Sequence, residues 1–455
     1  MLIPVIALLP SQEPLQRSAA AGMRNSGPTD LSGVSRPGGL ILDPTFNAVP
    51  LGTGRVETSP SASTHSPQKS ETFAVRGFLE ADSPETVPEV IDGRPIFADP
   101  KISHFLTCGG TPPVGSHVDV ANKLDVAGLA SRGLDGSGVA VAILDTGINL
   151  KHLNAKRGPG NQPLFDAANS WTPPGGTIAP GAHPVDHGTM CAFDVLIAAP
   201  KATLLDFPIL ANSAPGGSMV GRTLSVALMG FAQLLAFWAV GFAPGGGPRY
   251  KALVVSNSWG IFHPSWDFPV GHPGRFIDNP NHPFNVIAGT LAGSGADVVF
   301  AAGNCGAQCA DGRCQGRTTQ TIMGASALPA VLTLAGCDVQ DARVGYSSQG
   351  PSIAGMFQQK PDITAYTHFS GSEAFGAGSP DSGTSTACPV ASGCIAALRT
   401  KIPVGTVPPA NLFASLRSTA RQVPGQNGWN GDYGFGIIDP VAAAMANGVP
   451  NPPGV

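Results

Sequence analysis

The chain of 455 residues carries 26 Lys plus Arg against 30 Asp plus Glu, a net charge of -4, and only 12% charged residues, about half the usual ~25%. With no basic stripe to neutralise phosphates, the composition argues against nucleic acid as a partner. The length exceeds what one hydrophobic core usually serves, so one large domain with appendages, or two domains, is expected.

The first ten residues, MLIPVIALLP, are apolar but lack a basic flank, and SQEPLQR is a poor approach to the small residues Ser18 to Ala21. No signal peptide is expected on that basis, and the compartment stays open between cytoplasmic and exported. Residues 1–71 read as a low-complexity region, rich in Ser, Pro, Gly and Thr from about residue 11, without packed structure. Residues 72–102 differ: an alternating run, a helix start at Ser83-Pro84-Glu85, and a second run ending at Asp99-Pro100 predict a small βαβ piece. Residues 103–445 form the main domain, and 446–455 a flexible tail.

Beyond residue 120, short apolar runs (VAVAILD, ATLLDFPIL, ALVVSNSWG, ADVVFAAGN) alternate with helix-like stretches. The pattern predicts an α/β fold, a mainly parallel sheet with helices on both faces. TLSVALMGFAQLLAFWAVGFA, residues 223–243, is long enough for a membrane span. Lying between two predicted strands, with Gln233 at its middle, it reads as a covering helix instead, so no membrane span is expected.

Three segments put a polar residue where a strand ends or a helix begins. VAVAILDTGI delivers Asp145 at a strand's C-terminal edge. DHGTMCA opens a helix with His187, and Gly188 permits a tight turn. In GTSTACPVASG, residues 383–393, Ser385 starts a helix whose free backbone N–H groups favour charge developing on a nearby oxygen. Each alone has an ordinary reading as a turn or cap residue. Together they supply what amide hydrolysis requires: a nucleophile, a base, and an acid that fixes the base's tautomer.

In that order DTGI, HGT and GTSxAxPxxSG resemble the three signatures of the subtilisin-like serine protease family. The resemblance extends through SNSWG (256–260), VVFAAGN (298–304), GYSSQGP (345–351), KPDITA (360–365) and YGFGIIDPVAA (433–443). It implies a serine endopeptidase acting on peptide or protein through an acyl-enzyme. Asp145 would orient His187, His187 would be general base and then acid, and Ser385 would be the nucleophile. Asn304 matches the oxyanion-hole asparagine, against the alternative of a left-handed turn residue. Ser258, Trp259 and Gly260 match the strand that pairs with substrate, although Trp259 is equally readable as a core aromatic.

Met190 and Phe193 stand where the family commonly has a histidine or other polar residue and a glycine, so local packing must differ. Cys191 resembles a cysteine of proteinase K-like members and reads first as a small buried residue. Cys305, Cys309 and Cys314 cluster just past Asn304; a loop-pinning disulfide or free thiols are favoured over a metal, with the pairing open. No cofactor is required by this chemistry and no metal ligand is assigned. Structural calcium is common among relatives, yet Asn149 occupies a position where many have Asp. The 72–102 piece sits where the family carries a propeptide, and a monomer is expected. Two rivals remain: a silent peptide-binding pseudoprotease, and a maturation protease dedicated to one precursor.

Overall fold

The computed structural model describes residues 1–23, 30–51, 72–104, 111–211, 222–242 and 248–451. Strand Val139–Leu144 is buried at all six positions. Val139, Val141 and Ile143 join one apolar cluster with helices His187–Ala198 and Thr384–Arg399. Ala140, Ala142 and Leu144 join another with helices Leu224–Ala239 and Pro283–Gly293. Since alternate side chains point to opposite faces, both faces of the sheet are covered, as the near-continuous apolar run requires.

Seven strands, each paired in parallel with its neighbours, follow the order Ile363–Tyr366, Leu332–Cys337, Asp297–Ala301, Ala252–Asn257, Val139–Leu144, Thr203–Phe207, Leu164–Phe165. The expected α/β architecture is the one formed. The chain moves from Val139–Leu144 to one flank and then returns to Ala252–Asn257 on the other, so the winding reverses at the middle of the sheet. Crevices at the carboxyl ends of strands beside such a reversal are where open α/β sheets bind ligands. Asp145, Ser258 and Asn304 all lie just past strand ends there.

The N-terminal piece differs from expectation. Residues 2–10 form a strand that runs up the middle of a separate antiparallel sheet, pairing Thr72–Glu80 along nine residues on one side and Arg94–Ala98 on the other. Residues 13–23 are helical, and Ile41–Leu42 and Val49–Pro50 add short pairings to Thr72–Glu80. The reading of 1–71 as unpacked therefore fails for 1–23 and for these short strands; residues 52–71 lie outside the described residues. Within 72–102 a single 3-10 turn, Pro84–Thr86, stands where a helix was expected, and the strands are antiparallel. The reason is range. Leu2–Pro10 needs a partner more than sixty residues away, and no local pattern announces such a pairing.

Ile3, Val5, Ala7 and Leu9 build the core of this sheet, while Ile6 and Ala74 face the main domain. Residues 13–23 and 49–50 pack on helix Leu224–Ala239. That cover buries part of an apolar helix 16 residues long, and none of the described helices is long and apolar enough to cross a membrane. At the other end the expected flexible tail is packed as far as 451, with Val449 buried and Asn451 accepting a hydrogen bond from Arg132; 452–455 lie outside the described residues.

Candidate active site

Asp145 leaves the central strand with its backbone tied on both sides, its N–H to the Phe207 carbonyl (3.1 Å) and its carbonyl to Leu210 N–H (2.9 Å). Its carboxylate accepts from Thr146 N–H at 2.7 Å and meets His187 Nδ1 at 2.8 and 3.0 Å. A carboxylate can only accept, so in the neutral ring Nδ1 is the nitrogen that carries the proton and Nε2 the one that keeps a lone pair. Among the described residues Nε2 has no hydrogen-bond partner. Asp186 caps the helix and accepts from His187 N–H (2.8 Å), and Gly188 N–H donates to Thr146 Oγ1 (2.8 Å). A Cβ on Gly188 would meet the Gly147 carbonyl oxygen at 2.6 Å. The glycines of DTGI and HGT thus let the acid loop and the histidine helix touch.

Ser385 stands in the first turn of helix Thr384–Arg399, behind Gly383 at φ 92°. Its carbonyl accepts from Ser258 Oγ (2.8 Å) and from Cys191 Sγ (3.5 Å), and that sulfur lies 3.7 Å from both His187 Nδ1 and Asp145 Oδ2. Three sequence segments thereby converge. A Cβ on Gly383 would lie 2.5 Å from Ser385 Oγ and 2.8 Å from Asn304 Nδ2, so hydroxyl and amide flank one point that only glycine leaves open. Asn304 Oδ1 accepts from Thr384 N–H (2.9 Å) and Oγ1 (3.0 Å), which turns Nδ2 toward the serine. The left-handed residue of this turn is Gly303, at φ 104°, and not Asn304.

A family model of the subtilases matches residues 136–436. The chain belongs to the subtilase family. No curated protein matches it.

The remaining sequence candidates of this subtilase have mixed placements. Trp259 is 2% exposed and packs edge-on against Phe284 and Phe300, a core aromatic. The Ser258 hydroxyl is committed to the Ser385 carbonyl. The backbone of Trp259–Gly260 does pair with an extended segment, the chain's own Lys101–His104, which lies between it and Arg222–Thr223. His104, overlooked in the sequence, ends that strand with its ring 4.6 Å from the His187 ring. Burial, then the neighbouring His187 and Arg313, push its pKa down to about 2, so it stays neutral. On another side Phe375, 45% exposed, lies 6.5 Å from the His187 ring.

Among the thiols, Cys305 and Cys314 form a disulfide that closes a short loop, so the loop-pinning reading holds for this pair, and Cys309 is disulfide-bonded too. Burial and the Asp145 charge raise the Cys191 thiol well above its usual range, so it is no rival nucleophile. A mercurial that reaches Cys191 is expected to displace His187 and stop catalysis. Cys191→Ala should abolish that sensitivity, and unchanged inhibition of the variant would refute the assignment.

Phe193 gains its room from Gly371, where a Cβ would meet the phenyl ring at 3.2 Å. Beside it lies the fully buried Asp194. It faces Asp381, which accepts from Ser372 N–H and Oγ (both 2.6 Å). Burial and mutual repulsion raise Asp194 well above the carboxylate range, and burial raises Asp381 to about 6. Folded-state values above the unfolded ~3.9 mean stability fully present in acid and lost as pH rises through the folded values. The unfolding midpoint should therefore fall as pH rises from about 4 through about 6, where Asp381 ionises. Asp194→Asn, which keeps a donor for Asp381, should flatten that fall in a pH series of denaturant titrations; an unaltered slope would count against the pair.

Proposed function

We propose that this subtilase is a serine endopeptidase working through an acyl-enzyme. The observation that carries it is the convergence of the Asp145–His187 pair with Ser385 at a helix start and with Asn304, whose Oδ1 is held by Thr384 so that Nδ2 turns toward the serine. A scissile carbonyl lying against Ser385 and Asn304 is attacked by Ser385 Oγ while His187 Nε2 takes the hydroxyl proton. Asp145 holds His187 in the tautomer that leaves Nε2 basic and stabilises the imidazolium that forms. Negative charge developing on the carbonyl oxygen is met by Asn304 Nδ2 and the backbone N–H of Ser385, the latter at a helix N-terminus. The imidazolium returns its proton to the leaving amine, the peptide C–N bond breaks, and water then releases the acyl group by the same route.

Backbone pairing with Trp259–Gly260 suits an extended peptide, since strand addition reads main chain first. The occupant of that groove is a mid-chain segment, which supports cleavage within chains. It also means that the full chain is blocked until Lys101–His104 is displaced. A fluorophosphonate probe tests the reading: labelling of Ser385 in protein freed of its N-terminal piece is expected, and no labelling of the folded, freed protein would refute it. Asn304→Ala should lower kcat about 10²- to 10³-fold with little change in KM, the range known for subtilisin; steady-state kinetics on one peptide decides it.

A further inference from the structure

We propose that Arg313 positions substrate in this groove: it holds the carbonyl of the residue that lies over His187 and selects an acceptor-bearing side chain, serine or threonine, on the residue before it. The inference rests on the peptidase reading in one respect, that Lys101–His104 lies on the path of a substrate. An extended peptide reaching Ser385 between Trp259–Gly260 and Arg222–Thr223 has no other edges to pair with among the described strands.

Arg313 Nη1 donates to Ser103 Oγ at 2.7 Å and Nη2 to the His104 carbonyl at 3.2 Å. The guanidinium is fixed before any peptide arrives. Nε and Nη2 bond the two oxygens of Asp311 (3.0 and 2.9 Å), and its carbon lies 3.7 Å over the Phe262 ring. Asp311 N–H in turn donates to the Asn304 carbonyl (2.9 Å), and the Cys305–Cys314 disulfide closes the loop that carries both residues. The loop beyond the oxyanion asparagine thus delivers a rigid fork to the groove wall. Guanidinium offers donors only, so it donates to carbonyl and hydroxyl oxygens, leaves an alkyl side chain unbonded and repels a basic one. Lysine, a point charge without the fork, cannot replace it while keeping the Asp311 pair.

The test has two arms. In the full chain, Ser103→Ala, Arg313→Met and the double variant are compared by hydrogen exchange of the 101–104 amides. Each single change should raise exchange, and the double variant should add little to either. In the processed enzyme, peptides carrying Ser, Ala or Lys at the position of Ser103 are compared for kcat/KM. Wild type should prefer Ser over Ala about tenfold, the lower end for a hydrogen bond to a charged group. Arg313→Met and Arg313→Lys should lose the preference, read as the ratio of Ser to Ala peptide within each enzyme so that a general loss of rate does not count, and a small ester, too short to reach Arg313, reports whether the wild-type site is active. Equal rates on the Ser and Ala peptides in wild type, or a preference that survives in Arg313→Met, would overturn the proposal. If the ester is not hydrolysed by any form, the peptidase reading fails, and the exchange cycle alone then decides whether Arg313 holds this segment.

Discussion

Ser385→Ala is expected to lower peptide turnover roughly a million-fold, the size known for subtilisin, and adding His187→Ala should lower it little further. On the proposed mechanism the two residues would act in one proton transfer: without the hydroxyl there would be nothing for His187 Nε2 to deprotonate. What remains over the uncatalysed rate would belong to Asn304 and to binding. The measurement is single-turnover hydrolysis of one peptide by wild type, both single variants and the double variant, each checked for folding by its unfolding midpoint. Losses that multiply in the double variant would show two independent contributions and contradict a shared mechanism.

Asp297→Ala should destabilise the fold by about 3–5 kcal/mol, the loss expected when one partner of a buried pair is removed. Asp297 opens a central strand and Arg399 ends the serine helix, and both are essentially without exposure. They join through two bonds of 2.7 Å, and Arg399 also reaches the carbonyls of Ile402 and Val407. Removing the carboxylate strands a guanidinium in a dry interior, whereas Asp297→Asn keeps one acceptor and should cost less. Denaturant titration checks both, and a midpoint for Asp297→Ala equal to wild type would refute the assignment.

The site was legible where chemistry needs fixed residue types in fixed turns. DTGI, HGT and GTSTACP each carry a glycine that a side chain would obstruct, and those constraints are local enough to survive as short words. The sheet was legible for a similar reason, since VAVAIL is buried on both faces and reads as one apolar run. What escaped was everything set by distance along the chain. Leu2–Pro10 has a strand's composition, but its partner at 72–80 gives no local signal. Arg313 looked like one more residue among cysteines, because spacing does not say where a loop comes to rest. His104 lay just past an assumed boundary at 102 and was passed over with it.

Helix Leu224–Ala239 bears apolar residues around its whole circumference, and only part of it faces the central sheet. Residues 13–23 and 49–50 of the N-terminal piece pack on another part of it, and Met229 and Ala232 line a cavity shared with Ala19 and Val49. Any event that strips that piece away leaves a bare greasy strip on a protein with few surface charges. Such a strip drives like molecules together, so the freed enzyme should show more light scattering at high concentration than the full chain. Colloidal behaviour of the freed enzyme should then depend on residues 13–23 and 49–50, which are distinct from the Lys101–His104 strand in the groove.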